Sequence, residues 1–132
     1  PLPQVRQVIE YALTEMPASK IMMGQNLYGY DWTLPFVQGS TARAISPQNA
    51  ISLAVNNNAA ISYDTKAQAP HFDYTDLNRK RHTAWFEDAR SIQAKFNLVK
   101  ELDLRGVSYW RLGIPFPQNW LLIEDNFNVV KR

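Results

Sequence analysis

One segment, residues 20–32, constrains the fold of this chain more than any other. It begins with an uninterrupted apolar run at residues 21–23, which predicts a strand that is covered on both faces. Aromatic rings then alternate along the chain at Tyr28, Tyr30 and Trp32. Flat rings with polar edges suit pyranose sugars, which are apolar on the flat side and hydroxylated at the rim. The segment therefore predicts a strand that ends in a sugar-binding cleft, while the alternative, in which the rings only pack a core, stays open.

Helix and strand alternate at both ends of the chain. Residues 5–16 predict an amphipathic helix, because apolar residues recur at spacings of three and four until Pro17. Another helix is predicted from Asp88 to a C-cap at Gly106, and a strand over residues 107–112 follows directly. This order is typical of an α/β layer in which helices cover a parallel sheet.

The middle of the chain has a different pattern. Ser46 followed by Pro47 predicts the N-cap and first turn of a short helix that continues over residues 50–55. Short strands separated by turn-forming residues are predicted at residues 60–64, 71–74 and 83–87. Residues 41–87 therefore predict a strand-rich insertion between two pieces of one α/β layer. The pattern leaves the conformation of residues 115–132 open.

The composition argues against several classes of protein. The 132 residues fit a single domain, and no apolar stretch approaches the roughly 20 residues that cross a membrane. The sequence contains no cysteine, which excludes disulfides, thiolate catalysis and cysteine-bound zinc. A formal net charge of +2 falls short of that expected for a nucleic-acid interface. His71 and His82 lack the spacing of a metal site, so neither a metal nor another cofactor is predicted.

Three motifs, in this order along the chain, resemble one known family. They are MGQNLYGYDW at residues 23–32, WFEDARS at residues 85–91 with Lys95 after it, and LRGVSYWRL at residues 104–112. Together they resemble the C-terminal part of the chitinase-type glycoside hydrolases of family eighteen. The branch they resemble most is that of the spore-cortex-lytic N-acetylglucosaminidases of spore-forming bacteria. The resemblance covers nearly the whole chain, and three ordered motifs are far more specific than any one of them.

The resemblance implies an α/β fold that is the C-terminal portion of a (β/α)8 barrel. Residues 20–31 and 107–112 would be its last two strands, and residues 36–87 the α+β insertion that walls the sugar cleft. Residues 1–132 would then form a partial glycoside hydrolase barrel, since such barrels need about 250 residues. The chain starts at Pro1, from which we also expect a piece of a longer protein. Its uncovered strand edges predict poor stability unless it docks onto the rest of the parent barrel or self-associates.

The catalytic acid that the resemblance implies is absent from this sequence. In the family mechanism the N-acetyl group of the substrate attacks its own anomeric carbon while one glutamic acid protonates the leaving oxygen. That acid belongs to an Asp-x-x-Asp-x-Asp-x-Glu motif. Residues 73–80 have the first two aspartates, but Asn78 and Lys80 replace the third aspartate and the acid. We interpret residues 73–80 as a hairpin connection with solvated charges, and a weak attraction of its basic residues to anionic peptidoglycan is the alternative.

The resemblance assigns candidate substrate contacts to five positions. Trp110 matches the tryptophan that ends the last barrel strand and stacks on the sugar at the cleavage site. Tyr28 matches the ring that ends the preceding strand, and Tyr30 stands where many chitinases place an arginine. Asp31 and Glu87 are candidate polar contacts on the rim of the cleft.

The function implied is that of a segment of a retaining, substrate-assisted glycosidase. Its substrate would be the N-acetylglucosamine linkages of spore-cortex peptidoglycan or chitin-like glycans, in the spore cortex or coat or outside the cell. The expected partners are such an oligosaccharide and the rest of the parent barrel, without nucleic acid, membrane, metal or cofactor. We expect no catalytic residue in this chain and no activity of the chain alone. A noncatalytic carbohydrate-binding or structural module is the alternative.

Overall fold

The computed structural model describes residues 1–111 and 113–130, and within them the chain forms two separate β-sheets. In chain order the helices and strands are α1 (Leu2–Glu15), β1 (Met22–Asn26), β2 (Gly29–Leu34), β3 (Arg43–Ile45), α2 (Pro47–Asn56), β4 (Ser62–Asp64), β5 (Ala69–Thr75), β6 (Arg81–Trp85), α3 (Ala89–Glu101), β7 (Gly106–Trp110) and α4 (Pro117–Asn126). A short 3-10 helix (Ala18–Lys20) lies between α1 and β1. No helix in the described ranges is both long and apolar enough to cross a membrane.

The first sheet is a parallel pair formed by β1 and β7. Its register runs from Met22 opposite Gly106 to Asn26 opposite Trp110. One face packs on α1, α3 and α4 through two apolar clusters, whose buried members are Ile9, Ile21, Met23, Leu98, Val99 and Leu104 in one and Leu27, Ile92, Phe96 and Phe116 in the other. The side chain of Met22 is 50% exposed on the opposite face. The prediction of a strand covered on both faces is therefore wrong for this chain, because no described element lies over that second face.

The strand predicted over residues 20–31 is in fact two strands in different sheets. The break follows Asn26, whose side-chain amide donates a hydrogen bond to the carbonyl of Tyr28 at 2.7 Å and so stabilises a bend. β2 then starts at Gly29, where a Cβ atom would collide with the carbonyl oxygen of Trp85 on β6. Absence of a side chain at Gly29 lets β2 pair closely with β6, and the rings beyond it belong to the second sheet.

The second sheet is antiparallel, with the strand order β3-β2-β6-β5-β4. Helix α2 packs on one face of it, around the buried side chains Ile45, Ala50, Ala54, Phe72, Ala84 and Phe86. α2 begins as predicted, because the Ser46 hydroxyl accepts a hydrogen bond from the Asn49 amide at 3.1 Å and Pro47 occupies the first turn. Strands β4, β5 and β6 overlap the three predicted strands, whereas β3 was not predicted. The resemblance implied an insertion that starts at residue 36, but the first strand of this sheet along the chain, β2, already begins at Gly29.

Helix α3 also begins where the sequence predicts. The Asp88 carboxylate accepts from the Ser91 amide at 3.0 Å, and the Ser91 hydroxyl accepts from the Asp88 amide at 2.9 Å, which makes a reciprocal capping box. The predicted C-cap at Gly106 is wrong, because α3 ends at Glu101 and the chain turns at Asp103, which has a φ of 50°. Gly106 instead starts β7, and Leu112, the last residue of that predicted strand, lies outside the described residues. The tail left open by the sequence contains α4.

Candidate substrate-binding site

Tyr28 and Trp110 lie at the same edge of the parallel pair. The carboxyl ends of parallel strands meet at one edge, and here Asn26 pairs with Trp110 while the Leu27 amide donates to the Trp110 carbonyl at 3.4 Å. Tyr28 follows Leu27 in the bend between β1 and β2, directly after this edge. The Trp110 side chain is 71% exposed and that of Tyr28 is half-buried, so neither ring is sealed in the interior.

A row of aromatic rings continues from Tyr28 along β2. Tyr28 and Tyr30 meet edge to face with their ring centroids 5.5 Å apart, Trp32 follows 6.1 Å from Tyr30, and Phe36 lies 5.8 Å from Trp32. We call these four residues the aromatic row. Burial and the neighbouring Tyr30 raise the pKa of the Tyr28 phenol, which keeps that hydroxyl protonated as a hydrogen-bond donor. The row offers flat, partly wet apolar faces with polar edges, which is the chemistry that suits sugars.

Asp31 points away from this row. Successive side chains in a strand alternate between faces, so Asp31 lies on the α2 side of β2, where it is only 4% exposed. Its carboxylate accepts from the Tyr74 hydroxyl at 2.8 Å and from the Arg43 guanidinium at 3.0 Å, and lies 3.1 Å from His82 Nδ1. Burial, and next the Asp31 carboxylate, raise the pKa of Tyr74, which therefore remains a donor. We expected Asp31 to contact the substrate at the rim of the cleft, but its carboxylate is buried and bonded to three side chains of this chain.

Glu87 is also buried and paired. Its carboxylate contacts the Lys95 ammonium at 2.5 Å and accepts from the Ser91 hydroxyl at 2.6 Å. Because Glu87 follows β6 and both partners belong to α3, the pair fixes the helix to the end of the antiparallel sheet. Glu87 is therefore placed to hold α3 against the antiparallel sheet and is not exposed at the surface.

The match to a family of known proteins covers most of the chain. The family described as Glycosyl hydrolases family 18 matches residues 3–114. The chain belongs to glycosyl hydrolase family 18. This confirms the resemblance seen in the three sequence motifs.

Individual relatives agree with this assignment. The family 18 chain is 71% identical to the cortical fragment-lytic enzyme of Bacillus subtilis (strain 168) over 133 aligned residues, which cover 100% of this chain and 31% of the relative. The crystal structure of the spore cortex-lytic enzyme SleL of Bacillus megaterium QM B1551 matches with a TM-score of 0.96 and 65% identity, over 100% of this chain and 31% of that one. A chitinase from Chromobacterium violaceum matches with a TM-score of 0.79 and 30% identity, over 89% of this chain and 36% of that one. The fold is therefore an α/β fragment of the chitinase type, and the chain spans 31% of the length of the Bacillus subtilis relative.

The structure of the family 18 chain adds two residues to the five candidate contacts. Trp32 was named among the alternating rings but not as a candidate contact, and Phe36 was not considered, yet both extend the aromatic row. The sequence did carry a signal for Trp32: side chains alternate between the two faces of a strand, so Tyr30 and Trp32 share one face of β2 while Asp31 lies on the other. Among residues 1–111 and 113–130, no group of three or more acidic, histidine or cysteine side chains is arranged to hold a metal ion.

Proposed function

We propose that this family 18 chain is the C-terminal part of a barrel glycosidase that hydrolyses N-acetylglucosamine linkages in spore-cortex peptidoglycan. In this proposal β1 and β7 are the last two barrel strands, and residues 36–87 belong to the insertion that walls the cleft. The similarity to a cortical fragment-lytic enzyme and to a spore cortex-lytic enzyme supports the substrate class. The single observation that carries the proposal is the parallel register that brings Tyr28 and Trp110 to one edge, because barrel enzymes build their active sites at the carboxyl ends of the strands.

The chain binds and orients the sugar in this proposal, and the proton comes from elsewhere. The exposed indole of Trp110 supports the apolar face of the sugar at the cleavage site, and the phenols of Tyr28 and Tyr30 contact its rim. Asp31 and Glu87 act as positioning residues, the first through β2 and the second through α3. The glutamic acid that protonates the leaving oxygen, and the strands that precede β1, belong to the rest of the parent protein.

The partners follow from the same reasoning. The two outer edges of the parallel pair hydrogen-bond to the neighbouring barrel strands, the open face with Met22 and Trp110 lines the barrel interior, and the glycan lies across its carboxyl edge. We propose a spore-associated location on the basis of the cortex-lytic relatives. The 132 residues alone should give no turnover of a chitooligosaccharide or a cortex muropeptide, and substantial turnover by them would contradict the division of roles.

The decisive test replaces Trp110 in the full-length parent protein. Trp110→Ala should lower kcat/KM on cortex muropeptides by roughly one to two powers of ten, because the stacked ring is lost in the transition state as well as in the ground state. The free energy of unfolding should fall by much less than the about 3–5 kcal/mol that removal of a buried aromatic ring costs, because the Trp110 indole lies at the cleft and not in a packed core of this chain. Trp110→Phe should recover part of the activity.

A matched control uses Tyr11→Ala. Tyr11 is also 71% exposed but lies on α1, away from the carboxyl edge, and its loss should leave turnover unchanged. If Trp110→Ala reduces activity and stability in parallel, Trp110 is a packing residue, and if it leaves activity intact, the ring does not support the substrate; either result overturns the proposal.

A further inference from the structure

One face of the antiparallel sheet, over which no described helix or strand of this chain packs, carries most of the aromatic row. Helix α2 packs on one face, and residues two apart on each strand share the other. On that face Tyr30 pairs with Trp85, and Trp85 with His71, whose ring stacks on the indole at a centroid distance of 4.4 Å. Tyr30 is 42% exposed and Phe36 is 62% exposed. The face therefore continues the candidate sugar site away from Tyr28.

A cluster of cations stands at the far end of this face. Arg79 and Lys80 in the β5–β6 turn and Arg81 at the start of β6 are all exposed, and we call these three residues the basic hairpin. Their backbone is held by the Asp76 carboxylate, which accepts from the amides of Asn78 at 2.9 Å and of Lys80 at 2.8 Å. Among the described parts of the chain, none of the three basic side chains makes an ion pair. The hairpin therefore presents three cations that form no ion pair within the described residues, on a turn whose backbone is fixed by Asp76.

The register connects the basic hairpin with the aromatic row. Arg81 pairs with Leu34, and Leu34 lies two residues beyond Trp32 on the same face. The charges do not protect a free strand edge, which is a common reason for basic residues on strands, because β6 lies between β2 and β5. The cations thus adjoin the outer end of the aromatic row without an evident structural task.

We propose that the basic hairpin and the outer aromatic row, Trp32 and Phe36, form a second binding surface for the peptide-stem carboxylates of a peptidoglycan strand. This inference rests on the proposed function, because the row begins at Tyr28. The sugars lie along the rings, and the carboxylates of a stem reach the three cations. Opposite charges of this kind favour a carboxylated glycan over a neutral one of the same length.

The location of the charges selects stem carboxylates rather than acids attached directly to the sugar rings. On the open face Trp32 has Thr83 beside it and then Asp73, so an acid on a sugar above Trp32 meets a hydroxyl and a carboxylate. The first cation of the hairpin on this face is at Arg81. Leu34, the partner of Arg81, lies two residues from Trp32, or about 7 Å at 3.3 Å per residue, a distance that an acid carried on an extended branch spans.

The test measures the dissociation constants of the full-length protein for two probes. One is a cortex muropeptide with free stem carboxylates, and the other is the same muropeptide with those carboxylates amidated. The wild type should bind the acidic probe about tenfold more tightly, since three exposed charge pairs contribute roughly twofold each. Arg79→Gln/Lys80→Gln/Arg81→Gln should bring the ratio of the two constants close to one. High salt should reduce the wild-type ratio in the same way.

Matched variants keep the outcome interpretable. Lys20→Gln/Lys66→Gln/Arg105→Gln removes the same charge from exposed positions outside the hairpin and should preserve the tenfold ratio. Trp32→Ala should weaken both probes about threefold to tenfold while Trp32→Phe retains most of the affinity, because the ring is what contacts the sugars. The thermal unfolding of each variant is recorded, so that a loss of folding is not mistaken for a loss of binding.

The contrary results are distinct. An unchanged ratio in the hairpin variant, an equal fall in the ratio in the charge control, or full affinity of Trp32→Ala for both probes would each overturn this second surface. Trp110→Ala is measured alongside, and if it binds both probes as the wild type does, the proposed function fails whatever the ratio. If Trp110→Ala loses both probes while the hairpin variant keeps the tenfold ratio, the proposed function stands and the second surface does not.

Discussion

The two sheets of this chain bury their residues to different extents. The antiparallel sheet has its own core against α2, and its three inner strands are paired on both sides. The parallel pair packs one face on three helices, but among the described residues no further strand pairs with either outer edge, and Met22 and Trp110 on the other face are exposed. In the antiparallel sheet only the short strands β3 and β4 have an unpaired edge, whereas both strands of the parallel pair do, so the parallel pair leaves the larger share of its backbone groups without a strand partner. The candidate sugar site lies where the antiparallel sheet meets the parallel pair.

The largest effect is expected from removing one ring from each core. Phe72 and Phe96 are both fully buried, the first under α2 and the second in α3, and either change to Ala should cost about 3–5 kcal/mol of unfolding free energy. Phe72→Ala should increase hydrogen exchange mainly in β2, β5 and β6, and Phe96→Ala mainly in β1 and β7. Equal increases in both sheets after either change would mean that the two cores are one cooperative unit.

The buried ion pair joins the two regions and should give the next largest effect. Lys95→Met leaves the Glu87 carboxylate buried without its cation and should cost about 3 kcal/mol. The double variant Glu87→Gln/Lys95→Met should cost less than the sum of the single changes, because no unpaired charge remains. Chemical denaturation of the four proteins in this cycle measures the coupling energy. Strict additivity would show that the pair does not couple β6 to α3.

A smaller effect should be confined to the antiparallel region. Ser46→Ala removes the acceptor for the Asn49 amide at the start of α2 and should cost about 1 kcal/mol. Ser52→Ala is the matched control, because Ser52 is an exposed residue within the same helix. Its change should be near zero or slightly stabilising, since alanine has the higher helix propensity. A cost for Ser52→Ala similar to that for Ser46→Ala would argue against capping as the cause.

The smallest effect should be a pH dependence of the helices behind the parallel pair. The Arg6 guanidinium, bound to Glu101 at 2.6 Å, holds the pKa of that carboxyl below its ordinary value of 4.5. A lowered folded-state pKa means that the stabilisation is fully present above about pH 4.5 and is lost as the pH falls through the folded pKa. The stability difference between the wild type and Glu101→Gln should therefore vanish on acidification. A difference that persists unchanged in acid would assign the effect of Glu101 to packing.

The sequence predicts those parts of the fold that local signals determine. α1 follows from its apolar spacing, and the starts of α2 and α3 follow from Ser46 and Asp88, whose caps are made within a few residues. The separation of β1 from β2 was missed, because it depends on the approach of β6 to Gly29 from far along the chain. The short strand β3 was missed for a similar reason, since β2 is its pairing partner.

For the candidate site, the sequence identifies residue types better than their surroundings. The choice of Tyr28, Tyr30 and Trp110 as substrate contacts came from family motifs and stays a prediction. The partners of Asp31 could not be read from the sequence, because Tyr74 and His82 reach it from other strands, 43 and 51 positions away. A carboxylate close to an aromatic motif has the same local sequence whether it faces solvent or a buried hydroxyl.

Gly29 has a consequence for how this protein could change over evolution. Any side chain at that position would force β2 away from Trp85, and the edge-to-face contact between the two tyrosines on either side of Gly29 would be lost with it. Mutations elsewhere in the row could alter which sugars are preferred, one ring at a time. A mutation of this glycine would instead divide one continuous aromatic surface into two, so the missing side chain at Gly29 would set the length of glycan that the proposed site could hold.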